Sequence, residues 1–79
     1  MIDMVATGKR LRQAFKETGK KHVQIADELG ISLTAIYTWL RGESLPSIDN
    51  LFLLSEITGK TIEEMVVYHP EIKKEKDVA

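Results

Sequence analysis

Histidine is the side chain best suited to proton transfer near neutral pH, and this 79-residue sequence holds two, His22 and His69. They lie far apart in the chain, and neither has a cysteine or an evident carboxylate pair beside it. With no cysteine anywhere there is no disulfide framework and no cysteine-ligated zinc. No glycine-rich phosphate loop or metal-ligand spacing occurs either. A catalytic site would have to be assembled from residues that already have simpler helical roles. The sequence therefore predicts no enzyme, no metal and no cofactor. The chemistry that remains is recognition.

Recognition needs a scaffold, and the stretch His22–Gly42, HVQIADELGISLTAIYTWLRG, reads as one. It predicts a helix from His22 to Leu29, a tight turn over Gly30–Ser32, and a second helix to Arg41. Ile25, Ala26 and Leu29 recur on one helical face, and Gly30 sits where a left-handed C-cap ends the helix. Ser32 caps the next helix, whose Ile36, Trp39 and Leu40 point one way. Ala26 is small because the two helices cross at close range. Two helices joined this tightly at a steep angle form a helix-turn-helix, whose second helix can enter a DNA major groove.

The stretch resembles the helix-turn-helix of the lambda-repressor and Cro family of DNA-binding regulators. The residues that carry the resemblance are Ile25-Ala26, Leu29-Gly30-Ile31-Ser32, Ile36, Trp39 and Arg41-Gly42. It continues through Leu45-Pro46-Ser47, the run Leu51–Leu54 and Thr61-Ile62-Glu63-Glu64-Met65, so that it covers roughly Gly8 to Val67. The resemblance implies roles by position. Members of the family set the start of the second helix against a DNA phosphate, usually through a glutamine. Here that position is His22. A helix N-terminus offers free N–H groups and a positive dipole end to an anion, and a histidine adds a donor. The plainer reading of His22, an exposed first-turn residue, stays open. Lys21 stands where the family prefers a capping Thr or Ser, which weakens the helix start.

On the third helix, Leu33, Thr34, Tyr37 and Thr38 share the face opposite Ile36, Trp39 and Leu40, and the resemblance makes that face the base-reading one. Arg41, beside a turn glycine, is the expected phosphate clamp, with Lys20, Lys21 and Ser44 as further phosphate candidates. The chain also departs from the family. Many relatives pair an arginine on the first helix with a glutamate before the loop, and those positions here are Phe15 and Leu40. The expectation is that an apolar pair packs where relatives carry an ion bridge.

Taken in order, the chain opens with a short apolar leader, Met1–Ala6, and a first helix that starts between Met4 and Gly8 with Asp3 or Thr7 as cap. Leu11, Ala14, Phe15 and Thr18 form its inner stripe, and Gly19 ends it. After the helix-turn-helix, Ser47 caps a fourth helix through Thr58, with Ile48, Leu51, Phe52, Leu54 and Ser55 as a core stripe and Gly59 as the stop. Thr61-x-x-Glu64 is a capping box that opens a fifth helix from Ile62 to about Tyr68. Pro70 and the run EIKKEKDVA follow as a charged, solvated tail. No strand pattern appears. The predicted fold is all-α: a five-helix lambda-repressor-like domain over residues 1–69, with a C-terminal tail over 70–79.

At 43% hydrophobic and 29% charged residues the composition is ordinary globular material, with room for one small core. No apolar run approaches membrane-spanning length, and MIDMVATGKR lacks a signal-peptide core, which makes a cytoplasmic protein the expectation. The net charge of −1 hides a segregation. Residues 1–42 carry seven Lys/Arg against four Asp/Glu, and residues 43–79 carry four against eight. A basic front and an acidic rear suit a protein that meets DNA on one side. The expected function is a sequence-specific, double-stranded DNA-binding transcriptional regulator, a repressor acting by promoter occupancy. The expected target is a two-fold operator, read by a homodimer formed through the C-terminal helix at Val67 and Tyr68. Packing of that helix on its own domain is the open alternative. The other functional class is a protein-interaction module on the same scaffold, an antitoxin or adaptor.

Overall fold

The computed structural model describes residues 1–70 and contains five helices: α1 (Met4–Thr18), α2 (His22–Leu29), α3 (Leu33–Leu40), α4 (Ile48–Thr58) and α5 (Ile62–Met65). The charged tail predicted after Pro70 falls almost wholly outside the described residues. Four of the five helices begin on a short polar side chain that accepts a free N–H of the first turn. Asp3 accepts from Ala6, Ser32 from Ala35, Ser47 from Asn50 and Thr61 from Glu64. Gly19, Gly30 and Gly59 close α1, α2 and α4 in the left-handed conformation. Two of these ends share the sequence Thr-Gly-Lys, and in each the threonine hydroxyl bridges a helix carbonyl and the lysine N–H. The Thr18 hydroxyl donates to the Phe15 carbonyl at 2.6 Å and accepts from the Lys20 N–H at 3.0 Å. Thr58 does the same between the Leu54 carbonyl and the Lys60 N–H, at 2.7 and 3.2 Å.

The core gathers one face of every helix. Leu11, Phe15, Ile25, Ile36, Leu54 and Met65 are fully buried, and Ala26, Leu29, Trp39 and Leu40 complete the cluster. Each of the large aliphatic and aromatic members stabilises the fold by roughly 1.5–3 kcal/mol relative to exposure. Phe15 and Leu40, the positions where the resemblance implies an ion pair in many relatives, both lie in this buried cluster. No charge has to be desolvated there.

The packing of α1 on α3 is closer than side chains allow. A β-carbon built on Gly8 lies 2.6 Å from the Leu40 carbonyl oxygen and 2.7 Å from that of Trp39. Gly8 is buried in the body of α1, where glycine costs about 1 kcal/mol of helix propensity. Its place is explained by that backbone approach.

Two expectations are corrected. The fourth helix does not bury the predicted stripe: only Leu54 is fully enclosed, Leu51 and Ser55 are half-buried, and Ile48 and Phe52 stand 71% and 61% exposed. Apolar residues at 48, 51, 52, 53, 54 and 57 cover both sides of this helix, so periodicity cannot choose between them. Anchoring by polar groups helps to settle the rotation. Ser55 donates to the Lys60 carbonyl at 2.6 Å, and Thr58 reaches the Met65 sulfur at 3.7 Å.

The fifth helix ends at Met65, not near Tyr68, because Val66 turns extended and the chain pairs with the leader. The Asp3 N–H donates to the Val67 carbonyl at 2.9 Å, the His69 N–H to the Met1 carbonyl at 2.8 Å, and Ile2 and Tyr68 form an antiparallel bridge. Thr7, one of the two cap candidates for α1, is instead buried and accepts the Val67 N–H at 2.9 Å. A helix through Tyr68 would need these same backbone groups. The predicted dimer contact through a C-terminal helix therefore loses its helix at Val67 and Tyr68.

Gly8→Ala should destabilise the protein. Overpacking against two backbone carbonyls falls at the upper end of roughly 1–3 kcal/mol, which outweighs the gain of about 1 kcal/mol in propensity. Urea denaturation reads the difference, and an unchanged or higher midpoint would mean that α1 and α3 are not this close. A second prediction concerns acid. The Asp3 carboxyl lies below the usual carboxylate range, first because the Ala6 N–H bonds it and then because His69 sits 3.1 Å away. Its stabilisation is thus full above an unfolded value of about 3.9 and is lost as pH falls through the lower folded value. Asp3→Asn keeps a cap and removes this titration. Wild type should be the more stable at about pH 6, with the gap closing towards about pH 3 in urea titrations. A gap independent of pH would exclude the carboxylate as the cause.

Candidate nucleic-acid interface

The geometry of the front begins at the turn between α2 and α3. The Gly30 N–H donates to the Asp27 carbonyl and the Ile31 N–H to that of Ala26, which reverses the chain tightly. Ala26, only 2% exposed, lets α2 and α3 cross at short range. Ile36, Trp39 and Leu40 then face the core, and the opposite side of α3 looks outward. Thr34 and Tyr37 are exposed on it. Leu33 is half-buried and rests against the core cluster. Thr38 is half-buried and occupied: its hydroxyl donates to the Ala35 carbonyl at 2.7 Å and lies 2.7 Å from the Ser44 hydroxyl. Thr38 has one proton, so Ser44 donates to it. The α3–α4 loop is tied to the outer side of α3 in this way, and Ser44 has less freedom to meet a phosphate than its sequence position suggests.

At the other edge lies the start of α2. Lys21 occupies the cap position, and an ammonium cannot accept a hydrogen bond. Half of a capping box is present all the same, since Gln24 Oε1 accepts the Lys21 N–H at 2.8 Å. Gln24 is the compensation for the missing Thr or Ser, and the sequence reading missed it. His22 is half-buried rather than a plain exposed residue. Its ring meets Phe15 edge-on at a centroid distance of 5.9 Å and Tyr37 at 5.6 Å. Aromatic contacts of this geometry fix a ring, so His22 links the core to the outer face of α3. Lys20, Lys21, His22, Val23, Leu33 and Tyr37 together line an open groove of about 430 Å³. Three residues predicted for phosphate and two predicted for bases thus share one concavity. Val23, 47% exposed at its edge, was not anticipated.

Arg41 sits just past α3, as its C-cap. Its guanidinium is engaged by Glu43, with Nε and one terminal nitrogen 3.0 and 3.1 Å from the two carboxylate oxygens. That hydrogen-bonded pairing raises the arginine further above its usual range and holds the Glu43 carboxyl below its own. Lys20 is held likewise by both oxygens of Glu28, at 2.7 and 2.9 Å. The available signals were weak: a sign alternation two residues apart, and a spacing of eight with most of α2 between. Gly42, at φ 78°, lets the loop double back against α1, where a β-carbon would come within 2.9 Å of the Val5 backbone. His69, the other histidine, is committed to Asp3. Among the described residues no group of three His, Cys, Asp or Glu side chains could hold a metal ion, and no helix is long and apolar enough to cross a membrane.

Residues 11–65 match the model of a helix-turn-helix family. The chain is also 38% identical over 56 residues to the cryptic phage CTXphi transcriptional repressor RstR of Vibrio cholerae serotype O1. That similarity takes in 71% of the present chain and 50% of the relative, so the chain spans about half the length of the curated relative it matches. No solved structure matches it. The family match covers α2 and α3 with their turn, the supporting residues of α1, and both later helices. The chain belongs to the XRE-like helix-turn-helix family of DNA-binding domains, in an all-α, lambda-repressor-like fold.

Proposed function

We propose that this protein is a sequence-specific, double-stranded DNA-binding transcriptional regulator that represses by occupying a promoter. The observation that carries the reading is the groove in which Lys20, Lys21 and His22 meet Leu33 and Tyr37. Phosphate ligands at the start of α2 and apolar, uncharged groups on the outer face of α3 stand side by side there. In this reading Lys20, Lys21, His22, Arg41 and Ser44 serve the phosphates, which position the protein, while Leu33, Thr34, Tyr37 and Thr38 serve the bases, which specify the site. The relative's printed name, a transcriptional repressor, supports the same assignment. The protein works in the cytoplasm, on DNA there.

The outer face of α3 offers no Asn, Gln or Lys for the bidentate contacts that dominate direct readout. What it offers is apolar contact to thymine methyls, single hydroxyl bonds, and a fit to DNA shape. Each copy then discriminates modestly, and two copies on half-sites about one helical turn apart supply the rest. The exposed Ile48, Phe52 and Leu53 of α4 support a second copy better than the C-terminal segment does. The same three residues favour the second reading, an interaction module of the antitoxin or adaptor kind whose main partner is another protein.

A gel-shift series in salt separates the two. If only two cations meet phosphates, affinity falls about tenfold from 50 to 200 mM salt, and if six do it falls about a thousandfold. Absence of salt-dependent binding to any duplex would leave the interaction module as the reading. Selection from random duplexes should then return a site with informative thymines under Leu33 and Thr34. Replacing thymine with uracil in that site removes only methyl groups and should weaken binding. Equal affinity on the two sites would rule out the methyl contacts.

A further inference from the structure

Two carboxylates hold cations of the proposed interface, where contact with DNA gains nothing from negative charge. Glu28, on the outer side of α2, holds Lys20 through both oxygens, and Glu43, in the loop after α3, holds Arg41 in the same two-point manner. The four side chains are 37–56% exposed, and exposed pairs of this kind add little to folding stability. The Arg41–Glu43 pair spans only Gly42, so it ties no distant parts of the chain together. Stabilisation of the fold is therefore a poor account of either pair. Their effect on a phosphate is large by comparison. A cation already neutralised by a carboxylate displaces few of the counter-ions condensed on DNA when it docks, so it contributes little to the entropy of ion release that drives non-specific binding. Among the described residues, Lys21 is the one lysine or arginine of the proposed phosphate set with no carboxylate within 4 Å.

We propose that Glu28 and Glu43 are specificity-determining residues, acting as internal counter-ions that hold Lys20 and Arg41 back from phosphates until the outer face of α3 is seated on its bases. This rests on the DNA-binding reading given above. On a random duplex, exchanging a carboxylate for a phosphate is close to neutral, and the protein binds weakly. On its own site the contacts of Leu33, Thr34 and Tyr37 fix the register, so that both phosphates are presented where the exchange can occur. The pairs suppress binding to the wrong partner more than to the right one, which is how repulsion produces specificity. A recognition face without bidentate base contacts has particular need of such a device, because its discrimination is otherwise small.

The test measures affinity by fluorescence anisotropy, across a salt series, on a random duplex and on the selected operator. The proteins are wild type, Glu28→Gln, Glu43→Gln and the double variant. On random DNA each substitution should raise affinity by roughly eightfold at 0.1 M salt and steepen the logarithmic salt slope by about 0.9 per copy bound, as expected for one restored cation. On the operator the gain should be smaller, so the ratio of specific to random affinity falls. A cycle with Arg41→Gln isolates the pair: in that background Glu43→Gln should lose most of its effect. An equal gain with and without Arg41 would mean that Glu43 acts by plain repulsion, and the proposal falls. It falls too if the variants bind random DNA as wild type does while wild type shows salt-dependent binding, an outcome that leaves the DNA-binding reading intact. Wild type failing to bind any duplex at low salt overturns both.

Discussion

The approach of α1 to the end of α3 is so close that position 8 has no room for a β-carbon, and the front of the molecule is oriented by that fact. Leu40 and Trp39 present their last carbonyls to Gly8, while Gly42, just beyond them, brings the loop against Val5. One residue away, Thr7 is buried and accepts the Val67 N–H from the far end of the described chain. Asp3, at the head of the same helix, caps it and pairs through its own N–H with Val67. The segment Asp3–Gly8 is thus where the recognition helix, its following loop and the C-terminal strand-like segment converge. Backbone-to-backbone packing leaves little slack, which suits the proposed DNA-reading face of α3.

From that anchor the core carries rigidity outward through aromatic rings. Phe15 is fully buried, His22 packs edge-on against it at the start of α2, and Tyr37 packs on His22 from the middle of α3. A residue that sequence position assigns to a phosphate is therefore also a structural link between α1 and α3. The apolar Phe15 and Leu40 make this possible without burying charge, since an arginine in place of Phe15 would present a guanidinium where His22 now meets a ring. Where the family resemblance implies an ion bridge in many relatives, this chain holds the region with apolar area.

Electrostatics on the front is more balanced than the charge tally over residues 1–42 implies. Lys20 and Arg41 count as two positive charges in composition, yet each is met at hydrogen-bond distance by a carboxylate. Glu43 falls by sequence just inside the acidic half of the chain, yet it pairs with Arg41 of the basic half. The rear is knitted by the same kind of contact, with Lys60 reaching Glu17 at 2.9 Å between the end of α4 and α1. Segregation of charge along a sequence and segregation over a surface are different quantities, because loops carry residues from one to the other.

Much that depends on residues within one turn of each other was legible without a structure, although the Gln24 bond to Lys21 and the pairing of Arg41 with Glu43 were not. The starts of α3, α4 and α5 follow from Ser32, Ser47 and Thr61, each bonding an N–H three residues on, that of α1 was narrowed to Asp3 or Thr7, and the ends of α1, α2 and α4 follow from glycines free to adopt positive φ. The buried face of α3, with Ile36, Trp39 and Leu40, was legible too, but Leu33, assigned to the opposite face, rests half-buried against the core. Tertiary structure decided the rest. Apolar residues ring α4 on both sides, and packing against α1, α2 and α5 decides that Leu54 goes in while Ile48 and Phe52 stay out. The fifth helix stops at Met65 because its continuation finds a partner in Met1–Asp3, some sixty residues earlier in the chain. Gly8 reads as a flaw in a helix until α3 is placed against it. Local hydrogen bonds and φ preferences are written in neighbouring residues, whereas rotation about a helix axis, a pairing between distant segments and a missing β-carbon acquire meaning only from what lies opposite in space.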